Sequence, residues 1–244
     1  CCSHNSLPKK KNKTKKCHSC DKTISIDDAE VYNFINKDKT TRHKTPIVVG
    51  KVIERYGCKE FYYMEKGVKG IDYKERAFRD GEKILLKKIS ESLKGYLDFS
   101  NSYTTQGIYM LYLKDEYKGK VGIGSILGVL NSSLMKFYYE YRVNMGATLT
   151  TNVIFDDILK LPMPVAEALS SKEMKVIDKE VRALQTALKN GSKAKIEASE
   201  KKIEELVFQA FGISKKEQKV IHAFLEKFKS VKVEAEIDDE EDAA

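Results

Sequence analysis

The hydrophobic period of this chain changes near residue 120, and that change limits the folds open to it. Before it, the runs Ile47 to Ile53, Glu60 to Glu65, Lys83 to Ile89 and Ile108 to Lys114 are rich in β-branched and aromatic residues. Gly, Asp, Asn and Ser bound them, as expected of strands. After it, apolar residues recur at helical spacing. Leu127, Leu130, Leu134, Phe137 and Tyr141 follow a 3-4-3-4 step, which predicts one helix from Ile126 to a cap at Gly146. Leu161-Pro162-Met163-Pro164 then forces an extended exit. Met174, Ile177, Val181, Leu184 and Leu188 repeat the step behind Ser171 as N-cap, up to Asn190-Gly191. A second face runs through Ile203, Leu206, Val207, Ala210 and Phe211, so the two helices are expected to pair as an antiparallel hairpin. Ser214 and Glu217 form a capping box for a third helix, carrying Val220, Ile221, Phe224, Leu225 and Phe228. Strands first and helices afterwards predict an α+β fold, a twisted and mostly antiparallel sheet with a helical C-terminal region, and not a parallel α/β layer.

The pattern divides the 244 residues into four stretches: a cysteine- and lysine-rich segment over 1–45, a strand-rich body over 46–170, helices over 171–233, and an acidic tail over 234–244 expected to be disordered. The run least interrupted by polar side chains, Val121 to Leu130, is about half the length a bilayer crossing needs. No apolar stretch of signal-peptide type opens the chain. The formal charge of +8 hides a more basic body. The tail holds seven acids and no base, so residues 1–233 set 44 bases against 29 acids, a balance of +15. Such a body fits a polyanionic partner, nucleic acid above all.

Four of the five cysteines lie within the first 20 residues. Cys1-x2-His4 and Cys17-x2-Cys20, twelve residues apart, have the pair–gap–pair spacing of a zinc knuckle, with Cys2 and His18 as spare ligands. The residues between the pairs have almost nothing apolar to bury, so the metal would hold the turns. Gly122, Gly124 and Gly128 invite a phosphate- or cofactor-loop reading, but the spacing is G-x-G-x-x-x-G, and a loop feeding a helix fits better. No serine or cysteine triad, no H-E-x-x-H and no phosphate-binding G-x-x-x-x-G-K-[ST] occurs. His222 reads as structural, His43 stands alone in a basic stretch, and Asp156-Asp157 reads as a helix start.

Basic and aromatic residues interleave three times: Lys83, Lys87 and Lys88 with Tyr96; Tyr103-Thr104-Thr105-Gln106; and Lys136 and Arg142 among Phe137, Tyr138, Tyr139 and Tyr141. Lys83, Lys87, Lys88, Lys136 and Arg142 are candidate DNA contacts, mainly to phosphate. Tyr103, Thr105 and Gln106 are candidates for reading base edges. Asn131 and Ser132, inside the predicted helix, need partners and read as structural.

Four motifs in one order carry a resemblance. They are Gly81 to Ile89, Asp98 with Tyr103, Ile126 to Tyr139, and Leu161-Pro162-Met163-Pro164. The stretches Ile203-Glu-Glu-Leu-Val207 and Phe211-Gly-Ile-Ser-Lys-Lys-Glu217 add an ending of the same kind. Together they resemble the TaqI-type C-terminal specificity domain, the target-recognition domain of adenine-N6 DNA methyltransferases and type IIG restriction–modification enzymes. The resemblance implies a cytoplasmic protein that binds double-stranded DNA sequence-specifically beside a methyltransferase catalytic domain. The family's catalytic tetrapeptide is absent, because Pro8, Pro46, Pro162 and Pro164 are never adjacent. S-adenosylmethionine is therefore expected only in a catalytic part outside this sequence. The zinc-like segment is not general to the family and reads as a local elaboration. Two other readings stand beside this one: a protein-docking subunit acting through its helical third, and a nuclease or transferase fragment with an active site of unfamiliar form.

Overall fold

The computed structural model describes residues 14–16, 20–25, 33–68, 71, 73, 80–90, 92–143, 153–164 and 171–227. In chain order the strands are β1 (Thr14–Lys16), β2 (Thr23–Ser25), β3 (Ile35–Asn36), β4 (Thr45–Val48), β5 (Ile53–Glu54), β6 (Gly57–Cys58), β7 (Tyr62–Met64), β8 (Lys83–Lys87), β9 (Gly95–Asp98), β10 (Tyr103–Thr104) and β11 (Ile108–Leu111). The helices are α1 (Ile123–Leu130), α2 (Ser133–Tyr138), α3 (Phe155–Leu159), α4 (Lys172–Lys189), α5 (Lys193–Ala210) and α6 over 215–227. Every described strand precedes every described α-helix, so the fold is α+β, as the change of period predicts.

The strands form several small sheets rather than one. β10-β4-β7-β3 make a four-stranded sheet and β11-β8-β9 a three-stranded one, while β1-β2 and β5-β6 are two-stranded. Pairing is antiparallel except between β10 and β4. The three-stranded sheet is central because both of its faces are covered. Successive side chains of β8 point to opposite faces. Ile84 and Leu86 therefore pack with Leu127, Ile177, Val181 and Ile203 of the helices. Leu85 packs on the other side against Val48, Val52 and Ile53. Helices α4 and α5 thus share one core with β8 and β9, joining the strand-rich and helical stretches.

The predicted helix from Ile126 to Gly146 is broken. Its first part begins three residues earlier, at Ile123, and ends at Leu130. Asn131 leaves the helical ladder to pair with strand β9: its Nδ2 donates to Gly95 O at 2.8 Å, and Gly95 N donates to its Oδ1 at 3.1 Å. Ser132 restarts the helix as N-cap, its Oγ accepting from Met135 N at 3.1 Å and donating to Val129 O at 2.7 Å. Helix α2 then passes into a π-helical turn over Tyr139–Val143. Gly146 lies outside the described residues. Arg55 joins this break to α5, donating to Asn131 O at 2.7 Å and pairing with Glu204, which accepts from Ser133 N.

The glycines of the G-x-G-x-x-x-G stretch are packing residues. Gly124 N donates to Asp178 Oδ1 at 2.8 Å, and a Cβ at Gly128 would lie 2.5 Å from Ile177 Cγ2. They let α1 press against α4 and leave no cradle for a phosphate. The predicted caps form as well. Ser171 Oγ accepts from Met174 N, Gly191 takes a φ of 67° after α4, and Ser214 and Glu217 close the capping box of α6. Lys202 meets Glu180 across the α4–α5 pair at 2.5 Å, the two residues lying equally far from Gly191 as an antiparallel hairpin requires. Helix α6 docks by setting Phe224 edge-on to Phe137, which places the Phe137–Tyr141 stack between elements.

Candidate nucleic-acid interface

The loop from Thr105 to Gly107 is held at both ends by backbone hydrogen bonds. Thr105 N donates to Val48 O of β4 at 3.1 Å, and Lys88 N donates to Gly107 O at 3.0 Å. The loop therefore bridges the four-stranded sheet and β8 of the central sheet. Loops carried on such a scaffold present side chains at fixed places. Gln106 is exposed at its tip and Thr105 is half-buried.

Beside the loop lies a concavity of about 750 Å3, lined by Ile47, Met64, Tyr103, Thr104, Thr105, Gln106, Ile108 and Lys88 among others. Its inner lining is apolar and buried. Tyr103 is one of these buried residues, its ring edge-on to Tyr73 at 6.1 Å with Lys66 Nζ 5.8 Å above it. It shapes the concavity and has little surface for touching a base. Lys88 Nζ stands 4.5 Å over the Tyr109 ring, a cation–π contact that restrains the side chain.

The structure thus gathers Lys88, Tyr103, Thr105 and Gln106 around one concavity. Lys87 is half-buried on the same strand. Lys83 does not belong with the phosphate contacts. It is fully buried, its Nζ 2.8 Å from Asp98 Oδ2 and 2.9 Å from Ser100 O, and Asp98 is its cross-strand partner. Alternation along β8 points it inward with Leu85, so it braces the sheet instead of meeting solvent. Lys136 lines a separate concavity of about 320 Å3 with Arg55, Lys94 and His222, and Arg142 is exposed on the π-helical turn. Within that turn, burial pushes the Tyr139 hydroxyl up to about 12, which keeps it a neutral core residue.

Sequence reasoning missed Lys66 and Tyr73. Their approach to Tyr103 joins segments that no spacing rule relates. His43 is held in place by two bonds: its Nε2 donates to Asn33 O at 2.8 Å, leaving Nδ1 to accept from the Thr40 hydroxyl. His222 is exposed and rests its ring on Phe208. Of the zinc candidates, Cys1, His4 and Cys17 lie outside the described residues, and Cys20 is exposed. The acidic tail also lies outside them. Among the described residues, no group of three or more His, Cys, Asp or Glu side chains is placed to hold a metal. No described helix is long and apolar enough to cross a membrane.

No curated protein matches the sequence. Among solved structures, the chain is similar to the type IIL restriction-modification enzyme MmeI, whose structure was solved in complex with DNA. The TM-score is 0.47 at 11% identity, with 78% of this chain and 31% of that chain covered, so the present chain spans about a third of the other's length. The family described as the TaqI-like C-terminal specificity domain matches residues 45–163, the span that holds β8, Lys88 and the Thr105–Gln106 loop. Over residues 45–163, then, this chain is similar to the TaqI-like C-terminal specificity domain.

Proposed function

We propose that this chain binds duplex DNA sequence-specifically, as the target-recognition part of an adenine-N6 DNA methyltransferase or type IIG restriction–modification enzyme. The observation that carries the reading is the Thr105–Gln106 loop. It is tied at both ends to strands, stands next to Lys88, and lies inside the segment that matches a specificity domain. Gln106 and Thr105 offer the amide and hydroxyl groups that read base edges, whereas Lys87, Lys88, Lys136 and Arg142 offer charge to phosphates. In this reading the chain positions and reads DNA, and bond making belongs to a partner catalytic domain. That domain would bind S-adenosylmethionine and act on an adenine turned out of the duplex. The basic body supports a DNA partner. Selection of this chain against randomised duplexes tests the reading. A single enriched sequence is expected, and recovery of an unenriched pool with binding insensitive to salt would refute it.

A structural zinc on Cys1, His4, Cys17 and Cys20 is part of the same proposal, supported by the ligand spacing. The purified chain is then expected to carry about one zinc per molecule. Cys17→Ser should release it while leaving the helical core melting unchanged. Metal-free protein with freely alkylated Cys17 and Cys20 would rule the site out.

A further inference from the structure

Four of the large apolar side chains that stay exposed belong to two segments joined at one backbone junction. Ile89 is 55% exposed, Ile154 56%, Phe155 45% and Leu159 68%. The junction itself is rigid. Val153 N donates to Lys88 O at 2.7 Å, and the Tyr109 hydroxyl donates to Val153 O at 3.1 Å. The Val153 side chain is buried. With that residue anchored, its neighbours Ile154 and Phe155 are held outside the core at fixed places. Phe155 packs on the Tyr109 ring at 5.6 Å, the same ring that carries Lys88 Nζ. Lys88 in turn bonds Gly107, next to Gln106. Phe155, the Lys88 cation and the polar loop are therefore linked by direct contacts.

An apolar ridge fused to lysines poses a chemical question. Lys87 and Lys88 beside Ile89 favour a polyanion over an apolar protein face, yet phosphates and sugars give Ile154 and Phe155 nothing to bury against. In the major groove of duplex DNA, the apolar group that differs between base pairs is the 5-methyl of thymine. Resting on the duplex-DNA reading above, we propose that Ile89, Ile154 and Phe155 form a contact face for thymine methyl groups. The ridge then determines specificity together with Gln106: the amide reads a polar base edge, the ridge reads a neighbouring methyl, and Lys88 holds register on the phosphate between them.

The test uses the duplex enriched by selection on the full chain, with each thymine replaced in turn by deoxyuridine. That replacement removes one methyl and keeps every hydrogen-bonding group. For at least one thymine, the wild-type chain should bind the uracil duplex about fourfold more weakly, the effect of burying one methyl-sized group. For Ile154→Ala or Phe155→Leu the penalty at that position should vanish, whereas Val176→Ala, on the outer face of α4, should retain it. The wild-type scan alone keeps the proposal testable should a variant fold poorly. Uracil duplexes bound as tightly as thymine ones, or a penalty that persists in both ridge variants, would overturn it, as would an enriched site without thymine. Failure of the DNA reading looks different, because no sequence is enriched at all.

Discussion

At the scale of single residues, two buried polar side chains have partners that fix their roles. Lys83 is the clearest case, because its charge lies fully inside the sheet against Asp98. Removing one partner of such a pair strands the other charge away from water. Lys83→Met should therefore cost about 3–5 kcal/mol in urea unfolding, and adding Asp98→Leu should recover much of the loss. Asn131 satisfies both backbone groups of Gly95 with a single side-chain amide. Asn131→Ala removes the partner of the buried Gly95 N–H, while the Gly95 carbonyl still accepts from Tyr56 N, and a loss of about 1–3 kcal/mol is expected in the same assay. An unchanged unfolding midpoint for either variant would contradict the assigned role. Asn131 was readable as a residue in need of a partner. That the partner is a strand glycine 36 positions earlier was not readable, since no local rule joins the two.

Among elements, the close approach of α1 to α4 shapes the core. A Cβ at Gly128 would come within 2.5 Å of Ile177 Cγ2 and 3.4 Å of Val181 Cγ2, so a larger side chain forces the helices apart. Gly128→Val should destabilise by about 1–3 kcal/mol. An exposed helix position would respond differently, since there any residue but proline improves on glycine. Thermal unfolding of Gly128→Val and Gly128→Ala checks this, and a gain in midpoint for valine would refute the packing. The spacing of Gly122, Gly124 and Gly128 announced that small residues were needed. Only the neighbouring helix shows that they serve packing and not phosphate. The break at Asn131-Ser132 was hidden for a related reason: the 3-4-3-4 period continues across it, and periodicity is blind to a cap whose competing bonds are tertiary.

For the molecule as a whole, the proposed DNA binding leaves the remaining basic candidates to set its salt dependence. With Lys83 withdrawn, contacts from Lys87, Lys88, Lys136 and Arg142 predict a slope of log affinity on log salt of about −3 to −4, from roughly −0.9 per phosphate. Lys88→Ala should reduce that slope by about one unit and weaken all sequences alike. Gln106→Ala should leave the slope unchanged and alter which sequence is preferred, because a neutral side chain releases no counterion. Binding titrations between about 50 and 200 mM salt separate the two. Lys136→Ala adds a spatial question, because Lys136 lines a different concavity from Lys88. An unaltered slope would confine the DNA to the side bearing the Thr105–Gln106 loop.

By itself the sequence determined what depends on neighbours within a turn or a strand. It specified the order of strands and helices, the helical faces, the caps at Ser171 and Ser214, the turn at Gly191, and a basic body fit for a polyanion. These follow from periodicity, capping chemistry and charge, which act over a few residues or over the whole chain. Tertiary structure alone decided which polar residues face water. Lys83 and Lys88 lie five positions apart in one lysine-rich run, yet one is sealed against Asp98 and the other stands over Tyr109 beside the Thr105–Gln106 loop. Burial of that kind depends on strand pairing and on the second face of the sheet, both contributed by residues distant in the chain.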